Sequence, residues 1–284
     1  MNKDLLRVFA AVLSVCLLPS CRSLIVPVIL NNTRSVGWVH RYECRNDTLP
    51  KRVYFLGMQH IGKPVYFEDA RRRIDSLTSA GYVVFYEGVG FPKGMAPDSA
   101  SLDTIFRKFR KVTEVYVTDY LDRENKSIRK PYNVRKYVHQ TNALLGIDTG
   151  SRACIHADMS YSELISQYER DKGEIRLSEY DWRTPLLAKY NRRRSKVPGD
   201  TTEYDSSYMI DRLRERRLYE MIRDSHEDKI LVVYGGGHRW GLYRLLQDSL
   251  GMKADFARQY EADQKAKAAM KAAGRASRGH KSLI

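Results

Sequence analysis

The chain has 284 residues, 43% of them hydrophobic, and a formal net charge of +15. That is enough apolar material for one sizeable α/β domain and too much for a disordered chain. The arginines are scattered rather than gathered beside a nucleic-acid motif, so the basic balance points to a solvated face near an anionic membrane, and no nucleic acid is expected as partner.

Lys3 and Arg7 precede an apolar run over residues 8–18, the length of a signal-peptide core and too short to span a bilayer. The run ends in Leu18-Pro19-Ser20-Cys21, similar to a bacterial lipobox, in which the cysteine is acylated and becomes the first mature residue. Residues 1–20 are therefore expected to be a signal peptide and Cys21 the lipidation site. The mature protein is expected to be an exported, membrane-anchored lipoprotein of the cell envelope, on its periplasmic or surface face. A single anchor spanning residues 5–30 is the competing account. Residues 21–50 look like an exit segment, 51–256 like the folded domain, and 257–284, rich in Ala and Lys, like a basic mobile tail. Cys44 and Cys154 lie in the body without CxxC spacing, and whether they pair as a disulfide is left open.

Three short apolar runs carry the core. Residues 51–56 predict the first strand, followed by Gly57-Met58-Gln59-His60. Apolar positions Ala70, Ile74 and Leu77 then predict a helix closed by Gly81. Residues 82–86 predict a second strand, ending at Glu87. Strand, helix and strand over so short a span form a βαβ unit with parallel strands, which puts His60 and Glu87 on one sheet edge as neighbours. Residues 101–145 read as mostly helical with a break near Pro131, 153–159 carry His156-Ala157-Asp158, 171–203 form a polar, lid-like excursion, and 206–225 form a long helix. Residues 230–234 (Ile-Leu-Val-Val-Tyr) predict a strand buried on both faces, which breaks into Gly235-Gly236-Gly237-His238 before another helix. The expected architecture is α/β, a central mostly parallel sheet flanked by helices, with a helical insertion.

His60 and His238 share the local pattern Gly-x-x-His, each after a buried strand, with Glu87 ending the strand between them. Two imidazoles and a carboxylate suit a divalent transition metal such as Mn, Co, Zn or Fe, with open positions for water and substrate. The same trio equally suits metal-free proton transfer. On helix 206–225, Ile210, Leu213 and Met221 share a face with Arg217 at its middle, so Arg217 is expected to meet Glu87 or to bind an anionic group or a developing oxyanion.

Paired Gly-x-x-His motifs, Glu87, Arg217-x-x-x-Met221 and a closing Gly-Gly-His-x-x-Gly resemble the TraB/GumN family, which includes the Tiki proteins and is more distantly similar to the erythromycin-esterase and ChaN-like groups. The resemblance covers roughly residues 51–250. It implies His60, Glu87, Arg217 and His238 as the polar core, Asp158 as a possible additional member, and an α/β fold. Met58 stands where the family usually has a small hydroxyl residue, a departure that argues against a hydroxyl in the chemistry. By that resemblance the protein is expected to be a metal-dependent hydrolase acting on a peptide or a small-molecule ester. The alternative is a non-enzymatic lipoprotein holding haem, iron or another small ligand in the same cleft.

Overall fold

The computed structural model describes residues 30, 41–46, 49–90, 100–116, 120–128 and 134–254. The signal peptide, Cys21 and the basic tail lie outside them. No helix among the described residues is long and apolar enough to cross a membrane.

The strands in chain order are β1 (Arg41–Asn46), β2 (Leu49–Met58), β3 (Ile61–Gly62), β4 (Val83–Tyr86), β5 (Val138–His139), β6 (Cys154–His156), β7 (Lys229–Gly235) and β8 (Lys253–Ala254). Six of them form one mixed, mostly parallel sheet in the order β6-β4-β7-β2-β1-β8. β6, β4, β7 and β2 run parallel, while β1 and β8 close one side antiparallel. The other two, β3 and β5, make a separate antiparallel ribbon.

Period-two alternation divides the strand side chains between two faces. Leu56, Met58, Val84, Leu231 and Val233 pack on one side, against Tyr66, Phe67, Ala70 and Ile74 of α1 (Pro64–Ser79). Helix α1 starts on Pro64, whose fixed φ suits a first turn, and ends before Gly81 at φ 86, as its sequence signals predict.

The insertion comprises α2 (Ala100–Thr113), α3 (Asn142–Leu145), α4 (Tyr161–Lys172) and α5 (Glu179–Arg183). It is less helical than the periodicity over 101–145 suggests, because Glu114 adopts a left-handed φ of 64° and stops α2. The excursion over 171–203 is not loose. Arg110 and Lys111 of α2, both fully buried, reach into it: Arg110 donates to the carbonyls of Pro185, Asp181 and Thr184, and Lys111 to that of Arg176. The Asp181 carboxylate accepts from Ser178, Ser195 and Tyr190.

Two further helices, α6 (Leu213–Asp224) and α7 (Arg239–Leu250), cover the second face of the sheet. Leu218, Tyr219 and Ile222 of α6 and Leu242 and Leu246 of α7 pack there on Val53, Phe55, Phe85, Ile230, Val232 and Tyr234.

Three expectations change. The strand over 83–86 does not neighbour 49–58; β7 pairs in parallel with both and lies between them. The segment 21–50 is not merely an exit, since it contributes β1, whose Cys44 is fully buried. The long helix over 206–225 opens with a π-helical turn, Tyr208–Arg212, before α6 begins. The cysteine question also closes: Cys44 and Cys154 form no disulfide. They sit on strands four positions apart, about 19 Å at the usual strand spacing, well beyond disulfide reach.

Candidate active site

Four parallel strands deliver four polar residues to one edge. Across the sheet, Asp158 follows β6, Glu87 follows β4, His238 follows β7 and His60 follows β2. This is the carboxyl edge of an open parallel sheet, where α/β folds hold ligands. The fifth member, Arg214, comes from the first turn of α6.

Arg214 organises the group. Its Nε and Nη2 grip Asp158 at 2.9 and 2.6 Å, in the two-pronged geometry that guanidinium and carboxylate share. Nη2 also donates to Glu87 Oε1 at 2.5 Å, and Nη1 lies 3.3 Å from His238 Nε2. The guanidinium stands over the Tyr234 ring at 5.5 Å. Burial alone would raise both carboxyls, but the Arg214 charge outweighs it and holds Glu87 and Asp158 below their ordinary values. The same two carboxylates hold the Arg214 guanidinium well above its own, against burial. All three are ionised at neutral pH.

The remaining oxygens are also engaged. Glu87 Oε2 accepts the Gly235 N–H, and Asp158 accepts the N–H groups of Gly88 and Met159. A side chain at Gly235 would crowd Glu87 at 3.2 Å, so that glycine serves the close approach of strand to carboxylate. Gly241 does the same for Glu215, whose carboxylate fills the space a Cβ would need. Because arginine has no acceptor, His238 Nε2 must accept from Arg214, which leaves the ring proton on Nδ1. That atom faces Glu215 Oε1 at 3.5 Å, longer than a formed hydrogen bond.

His60 stands on the cavity side. With Glu87, Arg214, Tyr120, Tyr161 and Gln140 it lines a cavity of about 420 Å³. Its imidazole lies nearly parallel to the Tyr120 ring, 5.2 Å away and 6° apart in plane. Tyr120 also stacks on His139, at 6.1 Å and 27°. Burial pushes the His60 pKa down; Glu87 opposes this, while Arg214, His139 and His238 add to it. A half-buried histidine whose pKa is held below its usual value is neutral at physiological pH and equipped to accept a proton.

Arg217 is not in this group. It is exposed, and lines a separate groove between α4 and α6 with Glu163, Arg170 and Arg216. The apolar stripe used to place it joins two environments: Leu213 packs with the insertion, whereas Met221 packs with Leu218 and Ile222 against the sheet. Counting back from Leu218 and Ile222 by fours reaches Arg214, a signal present in the sequence. Glu215 could be found through the same phase; His139 and Tyr120 carried no comparable pattern. Met58 lies in the core, away from the chemistry.

A divalent metal held by His60, His238 and Glu87 does not fit the side chains as placed. Among the described residues no three His, Cys, Asp or Glu side chains converge on one point. Glu87 already answers a guanidinium and a backbone N–H, and His238 Nε2 is turned to Arg214. The cation at the centre of the carboxylates is the arginine.

Comparison of the chain with protein families, with characterised proteins and with solved structures finds no match.

Proposed function

We propose that the cavity is the active site of a hydrolase of TraB/GumN type, exported and held at a membrane through Cys21. The observation that carries the catalytic part is His60, an imidazole kept neutral by burial, on the wall of a cavity it shares with an ionised Glu87. The lipobox-like Leu18-Pro19-Ser20-Cys21 supports the anchor, and the motifs at His60, Glu87 and His238 support the family.

In this reading His60 takes a proton from water as the oxygen attacks the carbonyl carbon of an ester or peptide. The imidazolium that forms is stabilised by the Glu87 carboxylate and then returns the proton to the leaving oxygen or nitrogen. Arg214 holds Glu87 and Asp158 in place; with its donors engaged by carboxylates it is a positioning residue. Thr141, Asn142 and Gln140 line the same cavity and supply N–H and O–H donors for charge developing on the carbonyl oxygen.

The test is turnover of a panel of esters and peptides by the full chain, with chelator and with added Mn, Co, Zn or Fe, in wild type and His60→Gln. Turnover that survives chelation and falls at least about 100-fold in the variant is the expected result. Dependence on added metal would replace the arginine-centred account with a metal-assisted one. Undiminished turnover in His60→Gln overturns the assignment of the base. Saturable uptake of haem or another ligand without turnover would establish the capture function instead.

The pH dependence comes from the sign of the His60 shift. Its folded pKa lies below the ordinary value of about 6.5, so between the two the unfolded chain binds more protons and stability falls with acidification. Activity depends on the folded value, so kcat/KM should stay level through about pH 6.5 and decline only below it.

A further inference from the structure

Leu30, ahead of β1, is buried against Ile61 of β3 and Tyr137, with Tyr120 and Leu121 packed on the same cluster. Tyr120 also lines the cavity, and Ile61 directly follows His60 of that lining. The chain therefore meets the fold at the carboxyl edge of the sheet, beside the cavity.

Leu30 stands nine residues after Cys21. Even fully extended, that length spans at most about 30 Å. A domain of about 200 residues has a radius of gyration of about 16 Å, hence a breadth of about 40 Å. A lipid on Cys21 is then out of reach of any bilayer lying against the amino edge of the sheet. The tether excludes an orientation in which the cavity edge points away from the membrane.

The surface of the carboxyl edge agrees with this. Among the described residues four large apolar side chains are exposed, and three of them flank that edge. Val65 is in the first turn of α1, just after β3, and Trp240 is in the first turn of α7, just after β7. Leu144 of α3 is two residues past Asn142 of the cavity lining, and Thr141 of the lining is itself exposed. Tryptophan favours the lipid–water boundary, where its ring is buried and its N–H stays wet.

We propose that the anchored protein presents this cavity to its own bilayer, and that its substrate is a lipid-borne ester there. The proposal rests on the hydrolase reading for the reaction and on Cys21 for the anchor, and adds the substrate class. Water oxygen joins the acyl carbon as its proton passes to His60. The acyl C–O bond breaks, and the proton goes to the leaving oxygen, giving a carboxylic acid and an alcohol.

The test uses the full acylated chain in phosphatidylglycerol vesicles that carry a headgroup-linked quencher. A fluorophore is placed at Leu144→Cys or at Glu227→Cys, each in a Cys154→Ser background; Glu227 precedes β7, at the amino edge. The Leu144→Cys label should be quenched and the Glu227→Cys label left bright, because about 40 Å separates the two edges. Phosphatidylglycerol in the vesicle should turn over faster than its soluble dihexanoyl analogue. Inserting forty Gly/Ser residues after Ser23 should slow the vesicle reaction about tenfold and leave the soluble one unchanged. Equal or stronger quenching at Glu227→Cys overturns the orientation. Preference for the soluble ester overturns the substrate class and leaves the hydrolase standing. No turnover of either ester overturns the hydrolase and the substrate class together, while the quenching still decides the orientation. An unacylated Cys21, read by mass spectrometry, overturns the anchor and the inference with it.

Discussion

Two buried arginines have different roles in this protein. Arg110 of α2 is fully buried and meets backbone carbonyls of the 171–203 excursion, with the Tyr190 ring 4.6 Å beneath it. Arg214 of α6 meets two carboxylates and a histidine, beside an open cavity. Carbonyl dipoles engage the two terminal nitrogens of Arg110, and burial pushes its pKa down. Carboxylates raise that of Arg214. Burial of a cation is therefore not in itself a mark of function. Its partners decide: dipoles make a clamp, whereas charges beside a cavity make a site able to tune its neighbours.

The sharpest test of this contrast is Arg214→Met, which leaves Glu87 and Asp158 buried without their cation. It should cost about 3–5 kcal/mol, read as a lower urea midpoint at unchanged slope. Adding Asp158→Asn should recover part of the loss; no recovery would show that packing, not charge, dominates there. Arg110→Met removes donors chiefly from carbonyls and should cost less, about 2 kcal/mol, with kcat/KM unchanged. A cost equal to that of Arg214→Met would erase the distinction. Gly241→Ala, which drives a methyl into the Glu215 carboxylate, should cost about 1 kcal/mol and lose that penalty in a Glu215→Ala background. The smallest effect is expected from reductant: with no disulfide between Cys44 and Cys154, the thermal midpoint should be the same with and without it.

The edge location of the site was legible because it is written locally. A β-branched run followed by glycines and a histidine can be seen without knowing what packs on it, and Glu87 ends its strand in the same way. The buried arginine was not, because helix 206–225 faces two partners at once. Its apolar residues therefore do not form one stripe, and the π-helical turn at Tyr208–Arg212 rotates the α-helical turns beyond it. His139 and Tyr120 belong to the ribbon and the insertion, which reach the site through long-range pairing such as Ile61 with His139.

By itself the sequence determined the α/β class, the parallel core strands and the placing of His60, Glu87 and His238 just past strand ends. Period-two burial and glycine breaks are short-range properties of the chain. Tertiary structure alone decided that β7 separates β2 from β4, and that Arg214 rather than Arg217 enters the site. It also brought that arginine onto Glu87 and beside His238, two of the three residues expected to hold a metal. Strand order and helix rotation depend on which distant surfaces are buried together, and no local spacing specifies that.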